Sequence, residues 1–367
     1  MNWFEVQNAS VLETPAMLVY PDRVKYNIER AISMVGTISR LRPHVKTNKS
    51  ADACRLMIKA GIKKFKCATI AEAEMLGGIQ AADVLLAYQP VGPAISRLKS
   101  LVRQFPETRF SCLIDNAETA AEISTAFEDL GSPLTVYIDL NVGMNRTGII
   151  PDLAYKLYED CKSLGGIELA GFHAYEGHIH EADYTVREEA IAAAFRPVTD
   201  LIARIRTGDG DEPILIAGGT PGFPIHAGLN DRECSPGTFI YWDHGYQLKF
   251  TEQSFLPAAV LATRIISKPA PGIICTDLGY KAVSAENELS KRLVFLNLSD
   301  YTILSQSEEH LALAVANSED LPIGPLLYAL PWHVCPSVAL YDALITVENQ
   351  EIKGRWPTSA RNRKISV

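Results

Sequence analysis

The amino-acid sequence predicts a TIM-type (β/α)8 barrel followed by a mostly antiparallel β domain, and three observations predict it. Between about residues 37 and 245, short apolar β-branched runs alternate with longer helical patterns, as βα units building a parallel sheet require. Beyond about residue 250 the helical period fades and β-rich runs separated by turns take over. A chain of 367 residues, 47% of them hydrophobic, is longer than one typical core supports, so a barrel-sized domain plus a smaller one is the natural division.

The eight barrel strands are read, in order, at residues 39–47, 64–69, 83–88, 109–115, 134–140, 168–175, 214–219 and 238–243. Between them lie helical segments with recognisable starts: Ser50 before ADACRLMIKAG, Thr69 before IAEAEMLGG, and Asn116 with Thr119 before AAEISTAFEDLG. Glycines at 61, 77, 131 and 165 stop them. The later runs PAAVLATRIISKP, GIICTDL, RLVFLNL, EHLALAVAN and ALITVENQEIKGRW carry the β domain. The barrel is assigned to residues 16–248, and the β domain to 249–367 with residues 1–15. The segment TPAMLVY near residue 14 reads as one more strand, able to pair with the C-terminal domain.

Charge narrows the function classes. A net charge of −8, with Lys and Arg scattered rather than in runs, offers no basic surface for a phosphate backbone, so nucleic acid is not an expected partner. The N-terminus lacks the basic and apolar regions of a secretion signal, and no apolar stretch approaches the roughly 18 residues that cross a bilayer. No membrane partner and a cytoplasmic location are expected. Seven widely spaced cysteines, mostly in apolar runs, suggest buried thiols in a reducing compartment.

In a closed βα barrel the reactive groups gather where strands end and βα loops begin. The first strand ends in His44, Val45, Lys46, Thr47, Asn48 and Lys49; the fifth runs into a loop carrying Arg146 within NRTG; the sixth ends in HAYEGH, which contains Tyr175. Lys46 follows an apolar strand, where a long amine entering the mouth sheds part of its hydration and becomes a nucleophile toward aldehydes. Alone, it reads as a solvated loop lysine, and the neighbouring strand ends are what change that reading. The seventh and eighth strands supply Gly218, Gly219, Thr220 and Pro221, then Pro236, Gly237 and Thr238. Backbone N–H groups and hydroxyls in two adjacent loops suit an anion where many barrels bind phosphate, although Gly-Gly and Pro-Gly are also ordinary turn chemistry. Arg146 is either a surface cation or a guanidinium aimed into the mouth, and Tyr175 either a core aromatic or a hydrogen-bond partner for a bound ring. In the β domain, PWHVCP places His333 and Cys335 two residues apart, on one face if the segment is extended. An imidazole with a thiolate suits zinc, and two ligands leave positions for water or substrate.

With these residues in view, the chain resembles the fold-type III pyridoxal-phosphate enzymes, within them the D-threonine aldolase and eukaryotic-type D-serine dehydratase group, whose barrel belongs to the alanine racemase N-terminal superfamily. The resemblance runs through ETPAMLVYPDRVKYNIER, RPHVKTNKS, GMNRTG, HAYEGH, GGTP, SPGTFIYWD and PWHVCPSVALYD, in order along nearly the whole chain. It implies that Lys46 carries pyridoxal 5'-phosphate as a Schiff base, with Arg146 near the phenolic oxygen and Tyr175 facing the pyridine nitrogen. Gly219, Thr220, Gly237 and Thr238 would hold the phosphate. His333 and Cys335 would ligate a divalent metal, zinc first and manganese or magnesium next. It implies a homodimer and cleavage of β-hydroxy D-amino acids: a D-threonine aldolase-like reaction, with D-serine dehydration as the alternative. An amino-acid racemase or a noncatalytic cofactor carrier stands further off, since neither needs the His-x-Cys pair. Two departures stand out. Asn48 occupies the place of a histidine common in the family's K-x-H-K motif, and Cys335 stands where aldolases often carry aspartate, a feature that leans toward dehydratases.

Overall fold

The computed structural model describes residues 2–367. The chain forms two compact units: a barrel unit of residues 31–46, 54–237 and 362–367, and a β unit of residues up to 30, 47–53 and 238–361. The first strand, β1 (Ala16–Val19), belongs to the β unit, and the next seven build the barrel.

In the barrel unit, β2 (Lys64–Cys67), β3 (Asp83–Leu86), β4 (Arg109–Ile114), β5 (Leu134–Leu140), β6 (Ile167–Ala174), β7 (Ile214–Ala217) and β8 (Glu233–Cys234) pair in parallel, each with its sequence neighbour. The expected first strand is not a regular strand, because Pro43 in its middle has no N–H to give the ladder. Its residues nevertheless close the ring: Leu41 bridges Cys234 and His44 bridges Lys66, both in parallel. The Arg42 N–H donates to the Cys234 carbonyl at 2.9 Å, and the Val45 N–H to the Lys66 carbonyl at 2.8 Å. The eighth strand lies earlier than expected. Residues 238–243 are not extended; Thr238–Ile240 is a 3-10 turn, and the Trp242 N–H folds back to the Thr238 carbonyl at 2.7 Å. A short buried apolar run looks alike as strand or turn when only its hydrophobicity is read.

The strand starts are tied together by charge. Arg42 is fully buried and donates from Nε to Glu233 at 2.7 Å and from Nη1 to Asp83, while Lys64 pairs with the other Glu233 oxygen. Three strand beginnings and the closing segment therefore share one ion-pair network. Two helices start as the sequence predicts: the Thr69 side chain accepts the Glu72 N–H at 3.1 Å, and Asn116 accepts the Thr119 N–H at 2.8 Å.

The β unit is organised around β9 (Ala259–Ala270). With β10 (Ile273–Thr276), β11 (Leu293–Phe295), β12 (Tyr301–Gln306), β13 (Leu311–Val315), β14 (Leu326–Pro331), β15 (Ala343–Glu348) and β16 (Glu351–Pro357), it forms a sheet ordered β12-β13-β10-β9-β1-β15-β16, to which β14 adds on β9 and β11 on β14. All pairings are antiparallel except β1 with β15. The pairing Leu18↔Val260 draws the N-terminal segment into this sheet, and the core beneath it collects Phe4, Leu18, Tyr20, Val260, Ala262 and Tyr328. The unit boundaries differ from the expected 16–248 for this reason: β1 needs β9 as partner, so residues up to 30 go with the β unit, as do 238–248. The last six residues go with the barrel instead, where the Ser366 N–H donates to Glu74 at 2.8 Å and Arg97 binds the Val367 carbonyl.

Candidate active site

Lys46 follows directly on the closing segment, half-buried, with its backbone N–H donating to His44 Nδ1 at 3.3 Å. Its Nζ stands 5.9 Å from the Tyr175 ring centre, and the Arg146 guanidinium lies 5.2 Å from the same ring. The barrel unit thus brings three of the expected residues around one aromatic ring. Arg146 is exposed but held on a stapled loop: Asn141 Oδ1 accepts the Gly143 and Asn145 N–H groups at 3.0 and 3.1 Å, and Gly148 donates to Asp115 at 3.0 Å. A shallow cleft opens there, lined among others by Asp139, Asn141, Met144, Arg146, Thr147 and Tyr175.

The glycine loop after β7 explains its own composition. Gly218 has φ of 75°, a conformation that costs other residues strain, and a Cβ on Gly219 would stand 2.7 Å from Tyr175 Cε2. Only a bare backbone leaves room beside the ring. Thr220 is buried, and its Oγ1 accepts the Gly237 N–H at 3.1 Å, so the two expected anion loops meet within the barrel unit. Thr238 is the first residue of the β unit's 238–361 segment, where its Oγ1 lies 3.5 Å from Cys335 Sγ. Asn48, in the place of the family histidine, is buried, and its side chain accepts the Ser50 N–H at 3.0 Å, a turn that opens the helix Ala51–Lys59.

A second layer under the ring was not predicted. Lys66, fully buried on β2, has its Nζ 6.0 Å from the Tyr175 ring centre, 3.4 Å from His173 Nε2 and 3.4 Å from the Gly218 carbonyl. His173 Nδ1 in turn lies 2.7 Å from Asp139 Oδ1, while Asp139 Oδ2 accepts from Gln89 and Thr147, each at 2.9 Å. Burial, with the nearby Lys46 charge, pushes the Lys66 amine down to about 7. Burial also lowers His173, so its neutral form is favoured, whereas Asp139 is lowered because hydrogen bonds from His173, Thr147 and Gln89 outweigh its own burial. Glu176 and His226 form another buried pair at 3.2 Å, packed against Gly218 and Gly222. The alternation in KFKC carries the signal for Lys66: period two sets Lys64 and Lys66 on one face and the buried Phe65 on the other. An inward lysine follows, but not its partners.

In the β unit, His333 is the residue before the short helix Val334–Val338, so the pair is not extended as expected. His333 and Cys335 are still hydrogen-bonded to one another. Glu286 Oε1 lies 2.7 Å from His333 Nδ1, and buried Asp243 accepts the Val334 N–H at 3.1 Å, tying the motif in place. Burial alone lowers His333, but Cys335, Asp243 and Glu286 raise it to about 9. A site that retains a proton so strongly is an electronegative one, suited to a cation once that proton leaves. With Glu286 on Nδ1, Nε2 is the ring nitrogen left for a metal. Among the described residues no group of three or more His, Cys, Asp and Glu side chains is arranged as a metal cage. Thr47, next in sequence to Lys46, has its Oγ1 3.0 Å from Cys335 Sγ.

A ring of parallel strands with an amine, an aromatic ring and a glycine loop at the strand ends matches the fold-type III pyridoxal-phosphate enzymes, and comparison with known proteins agrees. The chain belongs to the family of the alanine racemase N-terminal domain, whose model matches residues 19–244. A serine dehydratase domain model matches residues 258–347. Over 336 residues the chain is 28% identical to a D-threonine aldolase from Arthrobacter sp., covering 88% of this chain and 85% of the relative. It is 24% identical to the D-threo-3-hydroxyaspartate dehydratase of Delftia sp. (strain HT23), covering 90% and 93%. Among solved structures, the D-threonine aldolase from Filomicrobium marinum superposes with a TM-score of 0.87 at 24% identity over 97% of both chains. A D-threo-3-hydroxyaspartate dehydratase variant in its metal-free form gives 0.81 at 22% identity over 95% and 98%.

Proposed function

We propose that the protein is a pyridoxal-phosphate- and divalent-metal-dependent lyase acting on β-hydroxy D-amino acids, by a D-threonine aldolase-like cleavage to glycine and an aldehyde. The observation that carries the reading is the amine of Lys46 facing the Tyr175 ring beside a glycine loop with no room for a Cβ. This arrangement fits the cofactor's three parts. Lys46 is the amine for its aldehyde, Tyr175 and Arg146 flank its ring, and Gly219, Thr220, Gly237 and Thr238 supply N–H groups and hydroxyls for its phosphate. When bound, pyridoxal phosphate withdraws electrons from the substrate's α-carbon.

The chain's own residues do the rest. Lys46 would hold the cofactor's aldehyde and, as an amine at the barrel mouth, would serve as the base when the substrate amine takes its place. His333 and Cys335 would hold the metal, zinc being the best match to an N,S donor set, where it supplies a Lewis acid for the β-hydroxyl. Within the β unit, the Thr47 hydroxyl lies 3.0 Å from Cys335 Sγ, beside the place proposed for the metal.

One observation favours a second reading. The Delftia dehydratase structures include variants of a histidine and of a cysteine two residues apart, one of them metal-free, the same spacing as His333 and Cys335. Dehydration of D-serine or 3-hydroxy-D-aspartate is therefore the alternative. Supplying purified protein, pyridoxal phosphate and zinc or manganese with D-threonine, D-serine and 3-hydroxy-D-aspartate separates the two. Glycine plus aldehyde is expected; a 2-oxo acid and ammonia without aldehyde would replace the aldolase by the dehydratase. A cytoplasmic homodimer is part of this proposal, and light scattering at twice 40.3 kDa is the expected result.

A further inference from the structure

Three lysine, histidine and aspartate side chains lie buried under the Tyr175 ring, and the reaction as described uses none of them. Their geometry is specific. Lys66 and Lys46 present their amines at nearly equal distances, 6.0 and 5.9 Å, from the one ring. Lys66 is anchored at 3.4 Å to His173 and at 3.4 Å to the Gly218 carbonyl, the residue that opens the anion loop. His173 continues to Asp139, and Asp139 to Thr147, so the line ends on two residues that line the same cleft as Arg146. An amine buried for packing alone would be a poor choice, since a methionine fills the same volume without losing hydration.

We propose that Lys66 is a positioning residue whose charge, balanced by the His173–Asp139 pair, sets the protonation of the cofactor-linked nitrogen at Lys46. The inference rests on the reading of Lys46 as the cofactor's attachment point. The groups facing Lys66 are His173, Asp139, Glu176, Lys46 and Arg42, two carboxylates and two fixed or titrating cations besides the imidazole. Lys46 is the like charge that acts most strongly on Lys66, and the two amines share the Tyr175 ring at 5.9 and 6.0 Å, so a charge on Lys66 is placed to act on whatever nitrogen position 46 carries. Electrons and covalent bonds are not rearranged; only a proton's free energy changes.

The test is a pH titration of the visible band of the holoenzyme, with the dissociation constant of pyridoxal phosphate measured alongside. Two coupled sites titrate over a wider range than one, so the native band should change along a shallow curve. Lys66→Met removes the opposing charge and should raise the midpoint by on the order of one pH unit and steepen it to a single-site curve. Lys66→Arg keeps a permanent charge and should hold the midpoint at or below the native value, again with a single-site slope. Variant curves superposing on the native one in midpoint and slope would overturn the inference. Should Lys66→Met fail to fold, Lys66→Arg decides by its slope alone. A native protein that acquires no band with pyridoxal phosphate would overturn both this inference and the assignment of Lys46, whereas a native band with unmoved variants overturns the inference only.

Discussion

At the scale of single residues, the account depends on atoms that have no room to be otherwise. Gly219 is the sharpest case. A methyl group there meets the Tyr175 ring at 2.7 Å, so Gly219→Ala should weaken pyridoxal phosphate binding by about tenfold or more, roughly 1.4 kcal/mol, in an equilibrium titration. Unchanged binding would mean the loop is not the phosphate cradle. Lys66 gives a prediction about stability. Its folded value of about 7 lies below the ordinary 10.5, so the unfolded chain holds that proton more tightly and protonation favours unfolding. The destabilisation is complete below about pH 7 and fades as pH rises toward 10.5. The melting temperature of the native protein, taken relative to Lys66→Met, should therefore rise between pH 7 and 10; a difference independent of pH would contradict it. Lys46, Arg146, Tyr175, Gly219, Thr220 and Gly237 stand out in the sequence because each follows a strand end, and the structure sets the first four around one ring and joins the last two by a hydrogen bond. The sequence did not reveal the Lys66, His173 and Asp139 line, since which inward positions of three different strands stack at one height depends on the barrel's stagger.

At the scale of elements, the alternation of βα units is readable throughout, and the two strands that differ do so for separate reasons. Pro43 has no N–H to carry a ladder through, whereas the buried apolar run at 238–243 looks alike as strand or turn. Closure of the ring then falls to a few backbone bonds and to Arg42, a guanidinium shared by Asp83 and Glu233. Arg42→Ala leaves the buried Glu233 with Lys64 alone and the half-buried Asp83 without its cation, and should cost about 3 kcal/mol in denaturant unfolding. A loss under about 1 kcal/mol would show that the network is incidental to closure. Asp243 has a similar place in the β unit. It accepts the Tyr246 N–H at 2.9 Å, capping the helix His244–Lys249, and the Val334 N–H at 3.1 Å beside the His-x-Cys pair. Asp243→Ala should therefore lower stability by about 1–3 kcal/mol and weaken zinc binding together, the second measured by competition with a chelating dye. Asp243→Asn, which keeps an acceptor, should retain most of the stability.

At the scale of the whole molecule, two units interleave along one chain rather than following one another. Residues 47–53 leave the barrel unit directly after Lys46, and residues 362–367 return to it at the end. Hydrophobic pattern reports which segments are strands and not which sheet they join, so the pairing of β1 with β9 is not visible in composition. The same interleaving makes Lys46 and Thr47 neighbours in sequence while Thr47 packs on Cys335. The proposed function requires that the amine at position 46 be the cofactor's point of attachment. Reducing the protein loaded with pyridoxal phosphate by borohydride, then digesting it and sequencing the peptides by mass spectrometry, tests this directly. The account predicts a single phosphopyridoxyl group on Lys46; a group on Lys66 or another lysine, or none at all, would contradict it.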